Sequence, residues 1–364
     1  MLPSWLGHAR YCDDPDRHDD RRKPQARLRR CAGFAAGLIL SATVTVADPI
    51  RIAIFNTELK QRGPGLLLRD IQRLTPQVRA VVELIKSYDA DILVLQSIDY
   101  DYKNQAAKVL AQLISDPTTP YAYIYAPFPN SGIPSGLDID GDGRNDGPRD
   151  AQGYGRFPGQ GGIAVFSRFE IDSQNVRDFG TLLWRDVSAS KSLEQLLPKD
   201  AIPIQRLASV GAAAVPIRID GRTLWILTHH ATPPLFDGPE DRNGYRNAAE
   251  NQFWQFYLDE VFGDVPSDPF ILAAQLNVDP SRGQGQKASL NSFLRDDRWS
   301  DPFSELAAEN RHTAIFKTAG KLRLSYLLPS TGLQILDFGT SKTIPQNDDV
   351  RHSRHRLLWI DVDF

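Results

Sequence analysis

The run ADILVLQS (residues 90–97) constrains this chain more than any other feature. It has the length of a strand and almost no polar side chain to offer solvent, so it predicts a strand covered on both faces. A fold that contains it needs layers above and below a sheet. The neighbouring runs indicate how the sheets connect. IRIAIFN (50–56) alternates, with Ile50, Ile52 and Ile54 on one face and Asn56 continuing it. Between these runs, TPQVRAVVELIKSYD has Thr75 at the N-cap and Pro76 in the first turn. Val78, Val81, Val82 and Ile85 then recur at helical spacing. Further strands are predicted at YAYIYA, GGIAVFSR, ASVGAAAVPIRI, TLWILTHH, PFILAAQL, LRLSYLLPS and HRLLWIDV. Further helices are predicted from about Tyr102 to Ser115, from Glu240 to Phe262 and from Gln286 to Arg295. Asp220-Gly221 reads as a tight hairpin turn. Hairpins mixed with helix-linked strands predict an α/β fold, a four-layer αββα sandwich of two mixed sheets flanked by helices. Trp225, Trp254 and Trp359 fall in apolar patterns and are expected in the core, while SASKSLEQLLPKD (188–200) reads as an exposed helical insertion.

The first 47 residues do not share this pattern. Arg29-Arg30 precedes CAGFAAGLILSATVTVA, a short apolar stretch ending in small residues before Asp48, which reads as a secretory signal cleaved after Ala47. The expected product is a periplasmic or secreted domain of residues 48–364, with no permanent membrane span. Of the 42 Lys/Arg and 45 Asp/Glu, eight and five lie in this leader, so the rest carries 34 against 40, a net charge of −6. Cys12, Cys31 and Met1, all of the chain's sulfur, are in the leader too. Thiolate catalysis and cysteine-based zinc sites are therefore excluded from the predicted domain. Its acidity disfavours indiscriminate binding to nucleic acid.

A Gly/Pro/Asp-rich loop between Pro127 and Arg156 contains DIDGDGRND. Asp138, Asp140, Asp142 and Asp146 stand at positions 1, 3, 5 and 9 of a calcium-loop pattern, with Gly143 at the turn. Position 12 is Arg149 rather than an acid. Alternating carboxylates around a glycine turn suit calcium; the alternative is a solvated acidic turn.

Several stretches, in order, resemble the endonuclease/exonuclease/phosphatase superfamily, the deoxyribonuclease I-like fold. These are IRIAIFNTEL, ADILVLQSIDYD, the loop GLDIDGDGRNDGPRDAQGYGRFPGQGGIAVFSR, HHATPPLFDGPEDRNGYRN, ILAAQLNVDP, LRLSYLLPS and HSRHRLLWIDVDF. The third and fourth of these stretches are similar to a secreted branch of it. The resemblance implies hydrolysis of phosphoesters by water with Mg²⁺ or Mn²⁺. Such chemistry needs carboxylates for a hard cation, a base for the attacking water and donors for the charge on phosphorus.

Carried over position by position, the resemblance places Asn56, His230, Asn277 and His355 in the catalytic site. It also implies four departures. Ser97 stands where the family has its metal-binding acid, Gln275 replaces the Asp of Gly-Asp-x-Asn, Ser325 replaces a strand Asp, and Arg354 replaces the Asp before the last His. Each removes a negative charge. The expected site is neutral to positive, suited to holding a phosphorylated small molecule or another anion, with Arg354 as the anion's fork. Two alternatives stand beside this one. One is an active phosphodiesterase, phosphatase or nuclease whose metal ligands have moved to Glu58, Asp99, Asp101 or Asp279. The other is a calcium-stabilised extracytoplasmic scaffold. His229 and His352 neighbour the two family histidines, and a transition-metal site among the imidazoles is the weaker reading of those pairs.

Overall fold

A computed structural model of the protein describes residues 48–187, 192–265, 269–342 and 353–364. The leader, His352 and the first part of the 188–200 insertion lie outside the described residues. The strands are β1 (Ile50–Asn56), β2 (Ile92–Ile98), β3 (Tyr123–Tyr125), β4 (Gly162–Ser167), β5 (Glu170–Ile171), β6 (Arg177–Asp178), β7 (Ala212–Ile219), β8 (Arg222–His230), β9 (Phe270–Gln275), β10 (Ala314–Phe316), β11 (Gly320–Leu322), β12 (Ser325–Pro329), β13 (Gln334–Thr340) and β14 (Leu358–Asp363). The helices are α1 (Leu66–Gln72), α2 (Pro76–Tyr88), α3 (Gln105–Ile114), α4 (Arg242–Leu258) and α5 (Lys287–Phe293).

Two mixed sheets result. The first runs β13-β14-β1-β2-β4-β3, with β1 and β2 parallel and the other pairs antiparallel. The second runs β12-β9-β8-β7-β5, with β6 also on β7, and only β8 and β9 are parallel. Each parallel pair needs a crossover, and α2 and α4 supply them. Asp220 and Gly221 both adopt left-handed backbone (φ 47° and 80°), the geometry that lets a two-residue turn follow the twist of β7 and β8.

Three apolar layers follow from strand alternation. Ile52, Ile54, Val94 and Ile360 of the first sheet meet Val215, Ile226, Ile271 and Leu327 of the second in the central layer. The outer faces of the same strands carry Ala53, Phe55, Leu93 and Phe166, which α2 and α3 cover through Val78, Val81, Ile85 and Leu110. On the far side, Leu227, Leu272 and Tyr326 are covered by Phe253, Trp254 and Tyr257 of α4 and Leu290 and Phe293 of α5. The four-layer expectation holds, and ADILVLQS is covered on both faces because both its sets of side chains enter a core.

Some local expectations need correction. Thr75 occupies the N-cap position of α2 but its side chain makes no capping bond. The 188–200 segment is not an exposed helix where it is described: Leu193–Gln195 forms a single 3₁₀ turn, and Leu196 and Leu197 are buried in the outer core. Arg298 is tied to Asp296 and Asp259. No helix among the described residues is long and apolar enough to cross a membrane.

Candidate functional site

The carboxyl ends of β8 and β9 and the start of β12 lie side by side. Register places His230 across from Gln275, and Gln275 across from Ser325. Just beyond β9, Asn277 takes left-handed backbone (φ 58°) and turns its amide back under the strand ends. These side chains form one chain of neutral hydrogen bonds. The Ser325 hydroxyl donates to Gln275 Oε1 (2.6 Å), Gln275 Nε2 donates to Asn277 Oδ1 (2.7 Å), and Asn277 Nδ2 donates to the Ala231 carbonyl (2.6 Å). Gln275 and Ser325 have no exposed surface. Gln275 and Ser325, two of the residues read as standing where the family has acids, thus satisfy each other in a buried place where an uncompensated charge would be costly.

The first sheet contributes from across the central layer. Asn56 at the end of β1 lies beside Gln96 of β2, and its Oδ1 accepts the Glu58 N–H (3.2 Å). Ser97 is the bulged residue where β2 slips against β4, with φ 62°, and Glu58 has φ 51°. Glu58, Ser97 and Asn277 all hold a backbone conformation that L-residues adopt at a cost, and such residues cluster at functional sites. Ser353 ties the last strand's approach to β1: its hydroxyl donates to the Asn56 carbonyl (2.6 Å) and accepts the His355 N–H (3.0 Å).

Arg354 is held by Glu58. Its backbone N–H donates to Glu58 Oε2 (2.7 Å), its Nε donates to Oε1 (2.9 Å), and its Nη2 completes the fork. The guanidinium also lies 4.8 Å over the Phe316 ring. Burial works to raise the Glu58 pKa, but the hydrogen bonds from Arg354 and the nearby His355 outweigh it, so the carboxylate stays ionised with a lowered pKa. Lys60, two residues on from Glu58, makes no side-chain hydrogen bond or ion pair among the described residues. It is solvent-accessible yet walled in by the cleft, and that desolvation lowers its pKa against the pull of Glu58 and Asp99.

His230 and His355 sense each other and Lys60 electrostatically. Burial first, then the cationic Lys60 beside both rings, pushes His230 down to about 3; burial brings His355 to about 4 despite the attraction of Glu58. Both imidazoles are neutral at pH 7. Nδ1 of each is buried and unpartnered, as is Gln96 Oε1, whose Nε2 reaches across to the His229 carbonyl (3.2 Å). Buried polar atoms seldom go unpaired, so these three leave hydrogen-bonding capacity unused around the strand ends. His229 points the other way, as strand alternation requires. Its Nε2 pairs with Asn251 Oδ1 and its Nδ1 accepts from Trp254 Nε1, both at 2.8 Å, so it is a structural histidine that does not join His230.

A polar face of α4 fixes the loops that carry these groups. Glu250 accepts the N–H groups of Ser209 and Thr232 (2.6 Å each), and Asn247 Nδ2 donates to the carbonyls of Thr232 and Leu276. Arg246 donates to the carbonyls of Leu207, Gln152 and Arg206. The helix was expected over 240–262, but its buried Arg246, Asn247, Glu250 and Asn251 were not singled out in the sequence. The signal was there in NGYRNAAEN, which puts polar residues at i, i+1, i+4 and i+5 on one helical face.

The alternative metal ligands are mostly engaged elsewhere. Asp99 accepts the N–H groups of Gln61 and Gly161, although burial still lifts its pKa to about 6; Asp101 accepts the Ala106 N–H at the start of α3. Asp279 accepts from the backbone of Ser281, Arg282 and Arg323. Within the acidic loop, Asp138 and Asp140 come together, but with Asp150, whose carboxylate oxygens approach theirs within 4.8 Å, while Asp142 and Asp146 are exposed. Asp150 was overlooked because it stands at position 13 of the pattern, one past Arg149.

A family model described as "Endonuclease/Exonuclease/phosphatase family" matches residues 54–346. No curated protein matches the chain. Among solved structures, the endonuclease/exonuclease/phosphatase of Beutenbergia cavernae superposes with a TM-score of 0.54 at 14% identity, covering 87% of this chain and 72% of that one. A family protein from Leptotrichia buccalis gives a TM-score of 0.48 at 17% identity, covering 86% and 100%. An AP endonuclease from Archaeoglobus fulgidus gives 0.48 at 12%, also covering 86% and 100%. With the family model spanning most of the chain and the αββα layers in place, the chain belongs to the endonuclease/exonuclease/phosphatase family.

Proposed function

We propose that this family member uses its cleft to hold a phosphate-like anion and has lost most or all of the metal-dependent hydrolysis typical of the family. The observation that carries the reading is the Ser325–Gln275–Asn277 chain, in which positions that would carry acids are neutral and already hydrogen-bonded to one another. A Mg²⁺ or Mn²⁺ ion needs several oxygen ligands, most of them charged, to offset its dehydration. Here the oxygens of Asn277 and Gln275 are taken by neighbouring donors, and Glu58 is taken by Arg354. Lys60 adds a positive charge close by that no carboxylate hydrogen-bonds. This donor set does not fit a divalent cation, so no step is derived through one. It does fit an oxyanion: Lys60 offers charge, and the two neighbouring imidazoles are neutral and add no competing negative charge.

Ca²⁺ in the acidic loop, held by Asp138, Asp140 and Asp150, belongs to the same reading as a structural ion rather than a catalytic one. Secretion to the periplasm or beyond fits the lack of thiols after residue 47.

The test is a turnover assay on the full chain without its leader, with bis-p-nitrophenyl phosphate and p-nitrophenyl phosphate in Mg²⁺, Mn²⁺ or Ca²⁺. The expected result is no release of nitrophenol above background. Turnover that depends on the metal and disappears in His230→Ala would overturn the reading and favour relocated ligands.

A further inference from the structure

A cavity of about 440 Å³ reaches His230 and Lys60 between the loop of residues 131–161 and the segment of residues 231–246. Its wall carries Lys60, Arg149, Arg242 and Arg246, and no Asp or Glu is among its lining residues. In a chain of net charge −3, that concentration of cations without acids has to be built. Part of each charge is free. Arg242 uses one nitrogen on the Ile139 carbonyl, and Arg149 stands 4.0 Å from its nearest carboxylate, Asp140. Arg246, buried beneath them, spends its donors on carbonyls, and the nearby buried Glu250 attracts its charge. A concave, low-dielectric wall of one sign raises the local concentration of the opposite charge.

The rim differs in kind. Tyr154 and Phe236 line the same cavity, yet they are 61% and 75% exposed. Phe236 also holds φ 72°, a left-handed conformation that is a genuine outlier for a bulky side chain. Neither ring gains from folding by being where it is, and one of them sits on strained backbone; exposed aromatics on the lip of a cationic cavity are placed for stacking. Ile139, Trp184 and Leu197 give the interior an apolar floor.

We propose that this cavity binds an anion carrying a planar aromatic group, the anionic end at Lys60, Arg149 and Arg242 and the ring against Phe236 and Tyr154. The inference rests on the anion-holding reading above and narrows it to a ligand class. His230 and Lys60 line both this cavity and the histidine cleft, so the phosphate-like end faces the neutral imidazole while the ring lies at the Phe236 and Tyr154 rim.

Titration calorimetry on the leaderless chain, in metal-free buffer at low salt, separates the parts of this claim. Inorganic phosphate and phenyl phosphate are the probes. Phenyl phosphate is expected to bind at least ten-fold more tightly than phosphate. Phe236→Ala with Tyr154→Ala should remove that margin and leave phosphate affinity unchanged, and Lys60→Ala should weaken both probes. Circular dichroism melting of each variant verifies that it folds; the three side chains are exposed, so the melts should match the parent. Equal affinities for the two probes, or an unchanged margin in the double aromatic variant, would overturn the aromatic assignment while the anion-holding reading stands. Failure of both probes to bind at millimolar concentration would overturn both.

Discussion

The neutral chain at the strand ends can be tested by one nearly isosteric change, Gln275→Glu. The substitution keeps an oxygen for the Ser325 hydroxyl but replaces the amide that donates to Asn277 Oδ1 at 2.7 Å. Two acceptors would then face each other. Rotating the Asn277 amide does not help, because its oxygen would meet the Ala231 carbonyl in place of the nitrogen that now donates to it at 2.6 Å. One hydrogen bond is lost and one buried acceptor is left unpaired, together about 2–4 kcal/mol. Position 275 has no exposed surface, so burial also raises the introduced carboxyl's pKa above its unfolded value of about 4.3. A raised acid pKa means the folded state keeps its proton longer. The penalty is therefore smallest below about pH 4 and grows as pH rises through the folded pKa. Urea unfolding of the parent and the variant at pH 5 and pH 8, followed by tryptophan fluorescence, gives the difference at each pH. We expect the variant to be less stable at both and more so at pH 8. A cost under about 0.5 kcal/mol with no dependence on pH would refute the closed neutral chain and indicate that water or an ion already reaches Gln275.

Two further outcomes follow from the same structure. His229, His230 and His355 are neutral in the folded protein, with pKa values of about 4, about 3 and about 4 set chiefly by burial. Depressed histidine pKa values favour the folded state above the unfolded value of about 6.5 and lose that contribution as pH falls towards 4. Chemical denaturation between pH 6.5 and 5 should show stability falling by more than about 1.4 kcal/mol per pH unit, the slope for one proton, and a flat profile would show that these rings titrate normally. In the acidic loop, Ca²⁺ should raise the melting temperature, and Asp138→Asn with Asp150→Asn should abolish the shift; an unchanged shift would place the ion elsewhere.

The layered fold was legible because strand patterns report burial directly: the uniform apolarity of Ile92 to Leu95 and the alternation of Ile50, Ile52 and Ile54 follow from which faces meet a core. Short edge elements were not legible. β13 is half polar because one side of it meets solvent, and β5 and β6 are two residues each, too short for a period. The site positions came from resemblance, and their partners did not. Arg354 in the sequence is a free cation; only folding shows that Glu58, 296 residues away, is its counter-charge. Gln275 and Ser325 looked like two separate losses and turn out to be hydrogen-bonded to each other, because β9 and β12 set them in register. The cationic cavity drew on residues from four segments, and nothing local in any of them announces a shared wall.

The central claim is that replacement of the acids, rather than any defect of the fold, silences metal-dependent hydrolysis. It is tested most directly by restoring them together, with Ser97→Glu, Gln275→Asp, Ser325→Asp and Arg354→Asp in one chain, and measuring Mn²⁺-dependent turnover of bis-p-nitrophenyl phosphate beside the parent. Removing Arg354 also frees Glu58, and the four new carboxylates supply the oxygen ligands that a hard cation requires. The account predicts a silent parent and a variant that gains Mn²⁺-dependent turnover which His230→Ala abolishes. A parent that already hydrolyses the diester with Mn²⁺, at a rate the four restorations do not raise, would contradict it.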